Sequence, residues 1–239
     1  MTGATRTVAV LGGTGKTGRA VCAALTDRGA VARPLSRRHR EHLPAALAGC
    51  DAAYVIAPNM HPDEPGLVAE ACAALVVTGV GRVVYHSVAA PYAPSMPHHV
   101  GKAVAEDVVR RSGLAWTVLQ PAPYLQNLDL TRTVRVPYRA DAQFGFLDLA
   151  DLGRAAATVL LDDGHVGATY ELASRQATVA VLAAEAGVGV EVVGAGEWAV
   201  REGADLEPRV REWLLAMFAH YDAHGLPVGT RVLEWLLRS

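Results

Sequence analysis

Lysine is nearly absent from this 239-residue chain: Lys16 and Lys102 are its only two, and arginine carries the remaining positive charge. Neither sign of charge dominates, with 22 Lys and Arg against 24 Asp and Glu. The chain therefore lacks the basic surface that nucleic acid or an anionic membrane requires of a partner. It also lacks any apolar run long enough to span a membrane, although 51% of its residues are hydrophobic. Cysteine is scarce and odd in number: Cys22, Cys50 and Cys72 lie far apart among Ala, Val and Leu. That pattern excludes a disulfide framework and a metal-ligand spacing, and predicts buried free thiols in a reducing cytoplasm. Residues 1–7 are polar and carry no leader pattern, which agrees with a cytoplasmic location. Repeats and low-complexity tracts are missing too, so a single compact α/β unit is expected.

What the chain does have is Val8-Ala9-Val10-Leu11-Gly12-Gly13-Thr14-Gly15-Lys16-Thr17-Gly18. An apolar strand runs into glycines spaced G-x-x-G-x-x-G, and a helical pattern follows at once. One glycine permits the tight turn, the next lets backbone approach a phosphate, and the third lets the helix pack against its strand. The helix N-terminus then offers free N–H groups to an anion. Gly15-Lys16-Thr17 also imitates the end of a P-loop, but the glycine that motif needs five residues earlier is Val10, inside the strand. A dinucleotide turn is the better fit.

Apolar strands alternate with helices along the first half. Strands are expected at 7–11, 31–35, 52–57, 82–87 and 115–119, and helices at 16–28, 41–48, 65–78 and 98–111. This rhythm predicts a doubly wound parallel sheet covered on both faces, with residues 1–121 as its core. Residues 122–239 read as a substrate-side loop and a small C-terminal lobe. Within them 124–142 is polar and irregular, 149–161 and 178–186 are helices, and 169–172 and 188–193 are strands. The helix at 206–224 carries Leu206, Val210, Trp213, Leu214, Met217, Phe218 and Tyr221 on one stripe. Such a stripe suits docking on the core or a second copy of the chain in a homodimer.

The end of the second strand bears on which dinucleotide fits. NAD sites place an acid there for the ribose 2′-hydroxyl, whereas NADP sites place a cation for the 2′-phosphate. Here Ser36-Arg37-Arg38-His39-Arg40 contains no acid, so Arg37 and Arg38 are the candidate phosphate ligands and NADP(H) the expected cofactor.

The chain resembles the NmrA-like proteins, atypical members of the short-chain dehydrogenase/reductase superfamily. The resemblance rests on residues 8–19, Ser36-Arg37, residues 83–87, His98-x-x-x-Lys102-x-x-x-Glu106, residues 112–121, 146–152 and 167–172. It implies a Rossmann fold, a small C-terminal substrate-binding part and NADP(H). By position, Gly12, Thr14, Gly15, Lys16 and Thr17 would surround the pyrophosphate, and Arg37 would meet the 2′-phosphate. Ala57 and Pro58 would line the adenosine side and Lys102 would lie near the nicotinamide ribose. Pro121 to Tyr124 would flank the nicotinamide and the substrate mouth, with Tyr124 on the substrate.

The chain departs from the family in two places. Residues 36–51 leave room for one helix only, so the outer strand beyond strand two is missing, along with the acid that usually meets adenine. The superfamily's Tyr-x-x-x-Lys also appears here as His98-x-x-x-Lys102. Residues i and i+4 share a helix face, so His98 could supply a proton while Lys102 holds the ribose and Ser87 orients the substrate. The alternative for His98, Lys102 and Glu106 is an exposed polar stripe with a Lys–Glu pair.

Quinones and activated alkenes need less acid catalysis from the protein than simple ketones do. The leading expectation is therefore an NADP(H)-dependent oxidoreductase of a quinone, enone or polycyclic aromatic small molecule. An NADP(H)-binding redox sensor without turnover, and a tailoring enzyme performing a non-redox cyclisation or isomerisation, are the alternatives.

Overall fold

A computed structural model describes residues 5–238, so the first four residues of the polar N-terminal stretch lie outside it. The chain runs β1 (Thr7–Leu11), α1 (Lys16–Asp27), β2 (Val31–Leu35), α2 (Leu43–Leu47), β3 (Ala52–Val55), α3 (Glu64–Thr78), β4 (Arg82–His86), α4 (Pro97–Arg110) and β5 (Ala115–Pro121). It continues through β6 (Val134–Val136), β7 (Phe144–Phe146), α5 (Leu149–Leu161), β8 (Thr169–Leu172), β9 (Arg175–Ala177) and α6 (Val179–Glu185). β10 (Val190–Val192), α7 (Ala195–Arg201), α8 (Pro208–His224) and α9 (Arg231–Leu236) complete it.

Six strands form one sheet in the order β2-β1-β3-β4-β5-β8, every neighbouring pair parallel. Among the described residues β2 is an edge with no strand beyond it, as expected, and Pro34 sits on that edge where no donor is needed. The inner strands β1, β3, β4 and β5 are covered on both faces, whereas the edge strands β2 and β8 are partly exposed. Val8, Val10, Tyr54 and Val84 face α1 and α5, while Ala53, Val55, Val83 and Tyr85 face α3 and α4. This is why these strands read as continuous apolar runs.

The Rossmann layer extends beyond residue 121. α5 packs on α1, and β8 adds the sixth strand beside β5, in register from Val118 opposite Thr169 to Pro121 opposite Leu172. Between and after these elements stands the smaller lobe. The stretch 124–142, expected to be irregular, contains β6, which pairs with β10 far along the chain. Arg135 on β6 fastens the lobe through Glu191 at 2.5 Å, Glu197 at 2.7 Å and Glu202 at 3.1 Å. The apolar stripe of α8 packs within the chain: Phe218 meets Trp198 edge-on, and Tyr221 meets Phe144. Among the described residues no helix is long and apolar enough to cross a membrane.

α1 lies close to its neighbours because two contact points lack a side chain. A Cβ on Gly18 would fall 2.3 Å from the Gly12 carbonyl oxygen, and one on Gly153 of α5 would fall 2.6 Å from the Ala20 carbonyl oxygen. Both obstacles are backbone, which cannot swing aside. Gly153→Ala should therefore push α1 and α5 apart and lower unfolding free energy by about 1–3 kcal/mol. A thermal or urea melt of that variant checks this, and an unchanged melt would show that the contact is looser than described.

Candidate functional site

The order β2-β1-β3 places the switch in strand order between β1 and β3. Open α/β sheets bind ligands outside the carboxyl ends of the strands at such a point. A cleft of about 1100 Å³ lies there, at the upper end of ordinary ligand pockets. Its walls bring together every site residue expected from the sequence. Gly12, Thr14, Gly15, Lys16 and Thr17 form one wall, and Arg37 and Arg38 stand at the β2 end. Ala57 and Pro58 follow β3, Pro121 ends β5, and Ser87, His98, Lys102 and Tyr124 lie farther along.

The glycine turn is shaped for a close ligand. Gly12 has φ +81°, and a Cβ on Gly13 would fall 2.7 Å from Pro34 Cα on β2. A side chain at either glycine would need a different turn, and the turn as built presents bare backbone at the start of α1. These features fit a dinucleotide diphosphate. Arg37 and Arg38 are exposed in a 3₁₀ turn after β2, neither in an ion pair among the described residues, whereas Arg40 is held by Glu70 at 2.8 Å. Ser36 and His39 cap that turn reciprocally, the Ser36 N–H donating to His39 Nδ1 at 3.0 Å. Two non-glycine residues with positive φ, Met60 (+55°) and Ala90 (+50°), lie in the loops after β3 and β4, and Met60 lines the cleft. Strain of this kind concentrates at functional sites.

On α4 the exposed-stripe alternative is overturned. His98, Lys102 and Glu106 are all buried, and Lys102 does not pair with Glu106. Its Nζ donates to Glu64 Oε1 at 2.7 Å and to the His86 carbonyl at 3.3 Å, while Tyr85 donates to the same Glu64 oxygen at 2.6 Å. Glu64 opens α3, and its partnership with Lys102 has no local sequence signal. Glu106 gathers a separate set: Ser87 Oγ donates to it at 2.5 Å, Gln120 Nε2 at 2.8 Å and Arg110 at 2.9 Å. The hydroxyl expected to orient a substrate is thus engaged by Glu106.

His98 stacks on Trp213 of α8 with ring centres 6.1 Å apart. Burial, and then the Lys102 ammonium, lower its pKa to about 4. This disfavours the imidazolium near neutrality and so runs against the expected acid role. Asp148 caps α5, accepting from the Ala150 N–H. Sequence reasoning missed Glu64, Tyr54 and His86, and it read Leu214, Met217 and Tyr221 of α8 as a docking stripe. Besides packing within the chain, those three also line the cleft.

A family profile described as NAD(P)H-binding matches residues 39–163, just over half the chain. The chain belongs to this family. The match begins after the glycine turn and covers the loops that complete the cleft, and it agrees with the NmrA-like resemblance. An NAD(P)H azoreductase of Xenophilus azovorans is 30% identical over 183 residues, covering 71% of this chain but only 63% of that protein. The NADPH-dependent quinone oxidoreductase of Escherichia coli, solved with NADPH, superposes with a TM-score of 0.80 at 20% identity, over 97% of this chain and 94% of its own. The negative transcriptional regulator NmrA, solved with NAD, gives 0.78 at 18% identity, over 98% and 90%. At these identities the two structures establish a shared fold. The family's NAD(P)H agrees with the NADP(H) expected from the sequence.

Two measurements test the buried charges. Lys102→Met strips Glu64 of its cation in a buried site and should cost about 3–5 kcal/mol, whereas Lys102→Met with Glu64→Gln should recover much of the loss. A Lys102→Met melt equal to that of the wild type would show that the pair does not matter, and equal losses for the single and double variants would show that the unpaired Glu64 charge is not what costs stability. Stability should also fall as pH drops from about 6.5 toward 4. His98 and His99 both have folded pKa values lowered to about 4, so the unfolded chain takes protons that the folded chain refuses. Each histidine contributes up to about 1.4 kcal/mol per pH unit in that window and nothing above it. His98→Gln should flatten the slope in denaturant titrations across that range.

Proposed function

We propose that the protein is an NADP(H)-dependent oxidoreductase that reduces a quinone, enone or polycyclic aromatic small molecule. The observation that carries this reading is one continuous cleft with two chemical ends. Two exposed arginines and the bare backbone of the glycine turn occupy one end, and the apolar Leu214, Met217 and Tyr221 close the other.

When bound, a reduced nicotinamide supplies a hydride. The chain's residues then have three tasks. The Gly12–Thr17 turn and the start of α1 hold a diphosphate through backbone N–H groups. Arg37 and Arg38 offer a doubly charged 2′-phosphate charge-assisted hydrogen bonds, and the lack of an acid there leaves the 2′-hydroxyl of NADH without its usual acceptor. The α8 residues cover a flat apolar acceptor and exclude water from it.

Proton supply narrows the substrate class. Lys102 Nζ is committed to Glu64, and His98 is neutral near pH 7. Neither group delivers a proton to a developing alkoxide as a superfamily tyrosine would. Acceptors that delocalise the incoming charge and take their proton from solvent suit this floor, and quinones and activated alkenes do so. The azoreductase relative and the quinone oxidoreductase neighbour support the same direction. The engaged Lys102 and the NmrA neighbour also support a second reading, a sensor that binds NADP(H) without turnover.

NADPH oxidation followed optically against a panel of naphthoquinones, enones and azo dyes separates these readings. Turnover supports the oxidoreductase, tight NADPH binding with no turnover supports the sensor, and no dinucleotide binding sinks both. Arg37→Ala should raise the NADPH dissociation constant roughly tenfold and leave that of NADH nearly unchanged, as loss of one charge-assisted bond predicts. Equal losses for the two cofactors would remove Arg37 from the 2′-phosphate.

A further inference from the structure

Three aromatic side chains from separate elements form a hydrogen-bond chain beneath the cleft. Tyr54 on β3 and His86 on β4 are joined by Tyr54 Oη to His86 Nδ1 at 2.7 Å. The other ring nitrogen, His86 Nε2, lies 2.9 Å from the hydroxyl of Tyr124, just after β5. Tyr54 is wholly buried, and among the described residues its hydroxyl has no partner except His86. His86 and Tyr124 line the cleft.

Burial, and then the Lys102 ammonium, lower the His86 pKa to about 3. The ring is therefore neutral, with one N–H and one lone pair, and the chain has two possible proton arrangements. In the first, Tyr54 donates to Nδ1, Nε2–H donates to Tyr124, and the Tyr124 hydrogen is left free to turn into the cleft. In the second, Nδ1–H donates to Tyr54, and Tyr124 commits its hydrogen to Nε2. The buried Tyr54 O–H then has nothing to donate to, and a stranded buried donor bears its full desolvation penalty. The first arrangement is favoured because Tyr54 has no alternative partner.

Tyr124 stands where such a hydrogen would be used. Lys16 Nζ lies 5.7 Å from its ring centre, and the Thr17 hydroxyl is beside its own. We propose that Tyr54, acting through His86, fixes the Tyr124 hydroxyl as a hydrogen-bond donor into the cleft, toward an acceptor oxygen of a bound ligand. That oxygen belongs either to a cofactor phosphate or to a substrate carbonyl. Tyr124 is the group that touches the ligand, and Tyr54 and His86 are positioning residues. The ligand half of this inference rests on the cleft being a dinucleotide and substrate site; the proton arrangement does not.

Nitrogen-15 NMR of the histidine rings in the free protein tests the arrangement directly, with the His86 signals assigned by their loss in His86→Asn. A protonated Nε2 with a bare Nδ1 is expected, and the opposite tautomer overturns the proposal. For the ligand, NADPH dissociation constants are compared among the wild type, Tyr124→Phe, Tyr54→Phe and the double variant. A cofactor oxygen predicts roughly fivefold to tenfold weaker binding for Tyr124→Phe. It also predicts a smaller loss for Tyr54→Phe and a double variant no weaker than Tyr124→Phe.

If NADPH affinity is unmoved, the same pattern in KM for menadione at saturating NADPH assigns the acceptor to the substrate. Independent, additive losses, or no change in either measurement, overturn the proposal. A merely structural Tyr54 would lower the melting temperature without reproducing the ligand effect. Should Tyr54→Phe fail to fold, the wild-type ring measurement still decides. A wild type that binds no NADPH sinks the dinucleotide reading together with the ligand half, and the tautomer measurement then judges the remaining half alone.

Discussion

The close approach of α1 to the sheet and to α5 is the constraint on which the remaining architecture depends. Gly18 and Gly153 remove the side chains that would hold these elements apart, and Gly13 lets the turn pass over β2. With α1 seated in this way, its N-terminus opens at the carboxyl ends of β1 and β3, where the strand order switches. The cleft follows from that placement. A helix standing farther from the sheet would point its free N–H groups into solvent and leave no floor for a ligand.

Beneath the cleft the fold buries polar groups in two separate networks on the α3/α4 side of the sheet. Glu64, Lys102 and Tyr85 form one, and Glu106, Ser87, Gln120 and Arg110 form the other. Buried charges of this kind persist only when paired, because desolvation is otherwise prohibitive. Their pairing also limits the chemistry. The lysine and the serine expected to act in the cleft are engaged by carboxylates, and burial lowers the proton affinity of the nearby His98 and His99. On the opposite face, Tyr54 and His86 form a third, uncharged chain that ends at Tyr124 in the cleft.

Much of the fold was legible in the sequence. The stretches 7–11, 31–35, 149–161 and 169–172 have the expected bounds, because apolar period and flanking glycines are local properties. The short β7, β9, α7 and α9 were missed, being too brief for a periodic signal to rise above composition. β6 was missed because a three-residue strand becomes one only beside β10. The glycine turn and the arginine pair of the cleft were legible for the same local reason, and Glu64 was not. It lies 38 residues from Lys102, and only the packing of α3 beside α4 brings the two together.

The sequence by itself determined the order of strands and helices through β5, the backbone turn that can receive a diphosphate, and the lack of an acid just after β2. Each follows from residue type within a few neighbouring positions. Tertiary structure alone decided what state the chemical groups are in. Folding engaged Lys102 with Glu64, lowered the proton affinity of His98, set His86 between two tyrosines, and brought part of the α8 stripe to the wall of the cleft. Burial and charge pairing depend on which distant side chains meet, and no local reading of the chain contains that information.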